Sequence, residues 1–177
     1  MQSKFFNHQG ASLHYQIGGK EAASVMVLLH GGFGSIADFE PLLPRLLQHY
    51  RVIAVDTRGH GRSTLGTTAL TYAQAADDVR QILRNESVEN YSLFGFSDGG
   101  ITAYHLGAED ENVEKIITVG AEWHQKHLNR VRSMFEALNL NIVKEKLSEQ
   151  LAAYQAANPE PDAEKWIAAL KAMWLDE

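Results

Sequence analysis

Residues 95–99 read Gly95-Phe96-Ser97-Asp98-Gly99, wedged between Tyr91-Ser92-Leu93-Phe94, a strand-like run, and Ile101-Thr102-Ala103-Tyr104-His105-Leu106, whose spacing suits a helix. A serine flanked by glycines at such a junction occupies a tight strand-to-helix turn, because side chains at 95 and 99 would collide with the strand or the helix that follows. The turn lifts the hydroxyl above the sheet, where a base can reach it. It also leaves the N–H of Asp98 at a helix N-terminus, pointing at developing negative charge. A five-residue pattern alone is often chance, but strand, elbow and helix in that order are much rarer.

Two earlier segments argue the same way. Val25-Met26-Val27-Leu28-Leu29 is a continuous apolar run of the kind a buried parallel strand needs, and it ends in His30-Gly31-Gly32-Phe33-Gly34. A glycine-rich turn after a central strand lets backbone N–H groups approach a bound molecule closely. Gly32, together with Phe33, is the candidate partner of Asp98 in a pair of N–H donors. The next strand, Arg51-Val52-Ile53-Ala54-Val55, runs into Asp56-Thr57-Arg58-Gly59-His60-Gly61-Arg62-Ser63.

Short strands are expected near 4–7 and 12–17, with Gly18-Gly19 as the break. A helix beginning near 36–39 should carry Leu42, Leu43, Leu46 and Leu47 on one face. Thr71 followed by Gln74 is a capping-box signature, so a second helix starts there, with Tyr72, Ala75, Ala76, Val79, Ile82 and Leu83 at a 3.6-residue period. The run 115–119 reads as the last strand. Strands alternating with helices imply a mostly parallel, doubly wound sheet of about six strands. After Gly120 the periodicity is helical throughout: Trp123, His127, Leu128, Val131 and Phe135; then Val143, Leu147, Leu151 and Tyr154; then Trp166, Ile167, Leu170, Met173 and Trp174. Pro159 and Pro161 separate the last two groups, and Asp162 is the expected N-cap of the final helix.

The HGG turn, the DxRGHGRS segment and the GFSDGG elbow stand in the order and at the separations of the α/β-hydrolases, and the chain resembles that family over essentially its whole length. The elbow and the residues after it, Ser97 to Ala103, are most similar to the branch of biphenyl hydrolase-like (valacyclovir hydrolase-like) esterases. The resemblance implies an α/β-hydrolase core over residues 1–121 and a helical lid over 122–177. It implies Ser97 as nucleophile and Gly32, Phe33 and Asp98 as oxyanion donors. It also implies an ester-type small-molecule substrate, with related C–C hydrolase, lactonase or cofactor-free haloperoxidase chemistry open on the same fold. Haloalkane dehalogenases and epoxide hydrolases carry Asp where Ser97 stands.

In the family order an acid and then a histidine follow the lid, on strands that these 177 residues do not reach, so the fold is expected to be incomplete. Within the chain, Glu122 is the candidate acid, with His124 and His127 after it. His30 and His60 read as braces of their turns, and His8, His14, His49 and His105 have no catalytic context. Asp56 reads as a brace of the 58–63 loop. Trp123 and Asp98 are candidate substrate contacts. The Asp98 carboxylate either pairs with a cationic group of the substrate, such as an α-amino group, or simply favours its helix N-terminus. Two classes of function stay open: an esterase-like enzyme, and a catalytically incomplete hydrolase-fold module for binding or assembly.

Composition narrows the partners. A net charge of −6 opposes nucleic-acid binding, the absence of cysteine excludes disulfides and thiolate chemistry, and no clustered ligands imply a metal or organic cofactor. The N-terminus lacks the apolar stretch of a signal peptide and no segment approaches a membrane span, so the expectation is a cytoplasmic chain. A bare edge on the last strand would favour homo-oligomers.

Overall fold

The computed structural model describes residues 1–127 and 129–176. Six strands form one sheet: β1 (Gln2–His8), β2 (Ala11–Gly19), β3 (Val25–Leu29), β4 (Arg51–Val55), β5 (Tyr91–Phe96) and β6 (Val113–Val119), in the order β1-β2-β4-β3-β5-β6. β1–β2 and β2–β4 pair antiparallel, while β4, β3, β5 and β6 are parallel. β3 is buried at every position because both its faces are covered. Val25, Val27 and Leu29 join a core with Val79, Ile82 and Leu83, whereas Met26 and Leu28 pack with Ile36, Phe39 and Val52 on the opposite face. This two-sided burial is why β3 reads as an unbroken apolar run rather than an alternating one.

Helix α2 (Tyr72–Asn85) starts at Thr71, whose hydroxyl accepts from Gln74 N–H at 3.0 Å. Only half of the expected capping box forms, because the Gln74 amide turns instead to Asp78 at 3.0 Å. The leucine-rich helix expected from residue 36 onward is not continuous. A 3-10 turn, Ile36–Phe39, is followed by a four-residue helix α1 (Leu43–Leu46). Pro41 and Pro44 lack the N–H groups that a continuous helix would use there.

After β6 come a 3-10 turn (Gln125–His127) and helices α4 (Asn129–Ala137), α5 (Leu140–Lys146), α6 (Ser148–Ala157) and α7 (Ala163–Leu175), with α3 (Asp98–Glu109) lying between β5 and β6. Leu128, read as part of the first helical stripe, lies outside the described residues. The second stripe divides at Leu147 (φ −134°, ψ 37°), so Val143 and Leu151 sit on separate helices. Asp162 caps α7 by accepting from Lys165 N–H at 3.0 Å. Trp166, Leu170, Val143, Leu151 and Tyr154 form a third core with Leu70. α4 buries no residue, and Trp123 is 70% exposed.

β6 is the sheet's outer edge, and Ile116, Ile117 and Val119 on it are exposed, with Phe96 of β5 exposed beside them. Among the described residues no helix is long and apolar enough to cross a membrane.

Candidate active site

Ser97 joins β5 to α3 with φ 50° and ψ −117°, a conformation that L-residues rarely adopt and that persists only where the surroundings enforce it. The enforcement is visible on both sides. A Cβ on Gly99 would strike the carbonyl of Leu29 on β3, and one on Gly95 would lie 2.6 Å from Gly100 N. Ser97 N–H donates to Val119 O at 2.9 Å, and Gly100 N–H donates to Ser97 O at 2.8 Å, closing the turn from below. Among the described residues no side chain hydrogen-bonds the Ser97 hydroxyl.

The turn after β3 packs directly on this elbow. A Cβ on Gly31 would sit 3.1 Å from Ser97 Cβ, and one on Gly32 would meet Asp98 Oδ2 at 2.6 Å. Phe33 holds a positive φ of 63°, fixed by edge contacts of its ring with Trp166 at 5.0 Å and Trp174 at 5.5 Å. The N–H groups of Gly32 and Phe33 donate to no backbone carbonyl among the described residues, and that of Asp98 lies in the first turn of α3, where helix geometry leaves donors free. The structure therefore brings Ser97, Gly32, Phe33 and Asp98 together.

Behind the turn, Thr57 N–H donates to His30 Nε2 at 3.1 Å, which places the ring proton on Nδ1, 2.7 Å from Gly31 O. His30 thus braces the turn. His60 is buried, and desolvation pushes its imidazole down to about 3, so it is neutral at physiological pH. Its Nε2 has no hydrogen-bond partner among the described residues, and His60 lines a void of about 20 Å³, a volume that accommodates one water. Asp56 accepts from Arg62 N–H at 2.9 Å and from Ile36 N–H at 2.8 Å, so it braces the 58–63 loop. Burial alone would raise its carboxyl, but these bonds and that from His14 outweigh it and hold the group below the ordinary aspartate value.

Asp98 has two side-chain partners that sequence reading missed. Tyr72 Oη donates to Oδ1 at 2.9 Å, and Trp174 Nε1 donates to Oδ2 at 2.8 Å. Desolvation raises the Asp98 carboxyl despite these two bonds. Burial, and next the charge of Asp98, raise the Tyr72 phenol. A buried carboxylate demands donors, but nothing in the sequence marks which residues, 26 and 76 positions away, would supply them.

A cleft of about 400 Å³ opens beside Tyr72 and Trp174, lined also by His105, Glu122, Trp123 and Ile101. Trp123 stands at its mouth. Glu122 does pair with a histidine, 3.2 Å from His127 Nδ1, and it also accepts from Arg130 at 2.5 Å. Glu122, His124 and His127 bond to one another or to nearby residues rather than to Ser97, so the in-chain acid and base candidates are not assembled on the elbow serine. Among the described residues no cluster of three His, Asp or Glu side chains could hold a metal ion.

Residues 24–170 match the profile of the alpha/beta hydrolase fold family, and the chain belongs to it. It is 36% identical over 101 residues to 3-oxoadipate enol-lactonase 1 of Acinetobacter baylyi, a match that spans 57% of this chain and 38% of that protein. Among solved structures, a carboxylesterase from Nitrososphaera gargenis superposes with a TM-score of 0.76 at 21% identity, covering 97% of this chain and 72% of that one. The enol-lactonase of Burkholderia xenovorans LB400 superposes with a TM-score of 0.72 at 20% identity, covering 96% and 73%. These two share the fold. The chain spans less than half the length of the curated relatives it matches.

Proposed function

We propose that this chain carries the nucleophile half of a serine hydrolase acting on carboxylic esters, including cyclic ones. The observation that supports it is the strained Ser97 turn, clamped between Gly95 and Gly99, with the free N–H groups of the 32–33 turn against it. A serine held in a rarely populated backbone conformation marks a functional turn, and its hydroxyl becomes a nucleophile once a base reaches it. The Ser97 hydroxyl attacks the ester carbonyl to form an acyl-enzyme and an alcohol, which water then resolves. Gly32, Phe33 and Asp98 N–H groups stabilise the oxyanion, each such donor being worth about 2.7–4 kcal/mol in related sites. Residues 122–177 act as the lid over the 1–121 core, and Trp123 and the cleft beside it receive the substrate. No described side chain serves Ser97 as a base, so turnover on this reading needs a base brought to it. The Asp98 carboxylate, with one protein donor on each oxygen, serves as a clamp on Trp174 rather than as a receptor for a substrate amine. The enol-lactonase of Acinetobacter baylyi, 36% identical over 101 residues, supports ester or lactone chemistry. No metal or cofactor enters this mechanism.

The exposed β6 edge favours a second reading, in which this chain is a catalytically incomplete module that associates through that edge. Hydrolysis of p-nitrophenyl butyrate by the chain and by its Ser97→Ala variant, each with imidazole supplied as the base, separates the two. A Ser97-dependent rate supports the enzyme, and identical rates leave the module.

A further inference from the structure

The described residues contain one hydrogen-bonded serine–histidine–carboxylate set, and it is not at the elbow. Ser3 on β1 lies 2.7 Å from His14 Nε2, and His14 Nδ1 lies 2.6 Å from Asp56 Oδ2. The antiparallel register pairs Phe5 with His14, so Ser3, two residues before Phe5, falls on the same face as its diagonal neighbour. His14 and Asp56 are 1% and 2% exposed, whereas Ser3 is exposed. The ring is pinned from its own backbone, since His14 N–H donates to Ser63 Oγ at 2.7 Å and that hydroxyl donates to Asp56 O at 2.6 Å. An ionised Asp56 takes the proton on Nδ1, leaving Nε2 to accept from the Ser3 hydroxyl. Arg62 Nη1 donates to Ser3 Oγ at 2.9 Å, and its guanidinium lies 4.9 Å over the Phe5 ring with no carboxylate partner among the described residues.

We propose that Ser3, His14 and Asp56 form a second nucleophilic site, in which Ser3 accepts acyl groups from small activated donors and Arg62 favours donors that themselves carry a negative charge. The Ser3 Oγ–acyl bond forms as the bond from the acyl carbon to the leaving oxygen breaks. The hydroxyl proton passes to His14 Nε2 and then to the departing oxygen. Asp56 is a positioning residue that holds the imidazole in the accepting tautomer. Nothing here touches the elbow, so the site stands or falls independently of Ser97.

The experiment exposes the Ser97→Ala protein to p-nitrophenyl acetate and, separately, to acetyl phosphate, and maps acetyl groups by peptide mass. Hydroxylamine removes the ester on Ser3 but leaves amides on Met1 and Lys4, which share its peptide. Ser24 and Ser148, exposed and without a histidine partner among the described residues, are internal controls. A general base contributes about 10²–10⁴-fold, so Ser3 should acetylate at least tenfold faster than either control. Ser3→Ala should abolish the hydroxylamine-labile adduct, and Arg62→Gln should slow acetyl phosphate more than the neutral ester. Because His14 is buried and its replacement by Asn perturbs the fold as well as the site, the comparison of serines within one folded protein is decisive. Ser3 reacting no faster than Ser24 and Ser148 overturns the proposal, as does a labile adduct that persists in Ser3→Ala.

Discussion

Removing the charge of Asp98 should not weaken this fold at neutral pH, whereas removing its hydrogen-bonding capacity should. Asparagine can turn its amide oxygen to Trp174 Nε1–H and donate from its amide nitrogen to Tyr72 Oη, whose hydroxyl rotates to accept. Alanine leaves both donors without a partner, each costing roughly 1–3 kcal/mol. Trp174 is only half-buried, so water recovers part of that, and a loss of about 2–4 kcal/mol follows for Asp98→Ala. For a chain of this size that lowers Tm by on the order of 10 °C. The sign for the charge follows from desolvation, which raises the Asp98 carboxyl in the folded state. Between the unfolded and the folded value the native protein binds more protons than the unfolded chain, so this group's contribution falls as pH rises through that window. At pH 7.5, above the unfolded value, the wild type carries the cost of desolvating this carboxyl, which Asp98→Asn lacks. The asparagine variant should therefore be neutral to about 1 kcal/mol more stable at pH 7.5, and should lose that advantage at pH 4. Denaturant melts of the three proteins at both pH values measure this. Equal losses for Asn and Ala at pH 7.5, or an Asn advantage that grows in acid, refute the argument.

Two other outcomes follow from the same packing. Gly99→Ala drives a methyl into the Leu29 carbonyl and to 2.6 Å from His30 O, so it should destabilise by about 3 kcal/mol in thermal melts and remove Ser97 reactivity with it. The bare β6 edge should make the chain self-associate at micromolar concentration in light scattering, and Ile117→Lys should suppress this. A stable wild-type monomer contradicts the edge argument.

β3 and β4 were legible to the residue, because strands covered on both faces are apolar at their buried positions and glycine-rich turns follow them. The elbow was legible for a related reason. Its glycines are demanded by contacts with Leu29 and Gly100 that lie next door in the fold. The helices after Gly120 were legible as helices but not in their boundaries. Leu147 leaves helical geometry inside an unbroken apolar period, and periodicity alone carries no signal for that. What sequence could not reveal were pairings set by tertiary register. Asp98 meets Trp174 because α7 folds back over the 31–34 turn, and Ser3 meets His14 and Asp56 because β1–β2 register and the turn after β4 bring the three together. His14 read as a residue without catalytic context for that reason.

The central claim is that Ser97 is a nucleophile poised by its turn and lacking only a base. A fluorophosphonate applied to the chain with increasing imidazole as an external base tests it, with adducts located by peptide mass. The account predicts a Ser97 adduct whose rate of formation rises at least tenfold with imidazole and which vanishes in Ser97→Ala, while any adduct on Ser3 forms independently of imidazole. A Ser97 that stays unlabelled at every imidazole concentration in folded protein contradicts it.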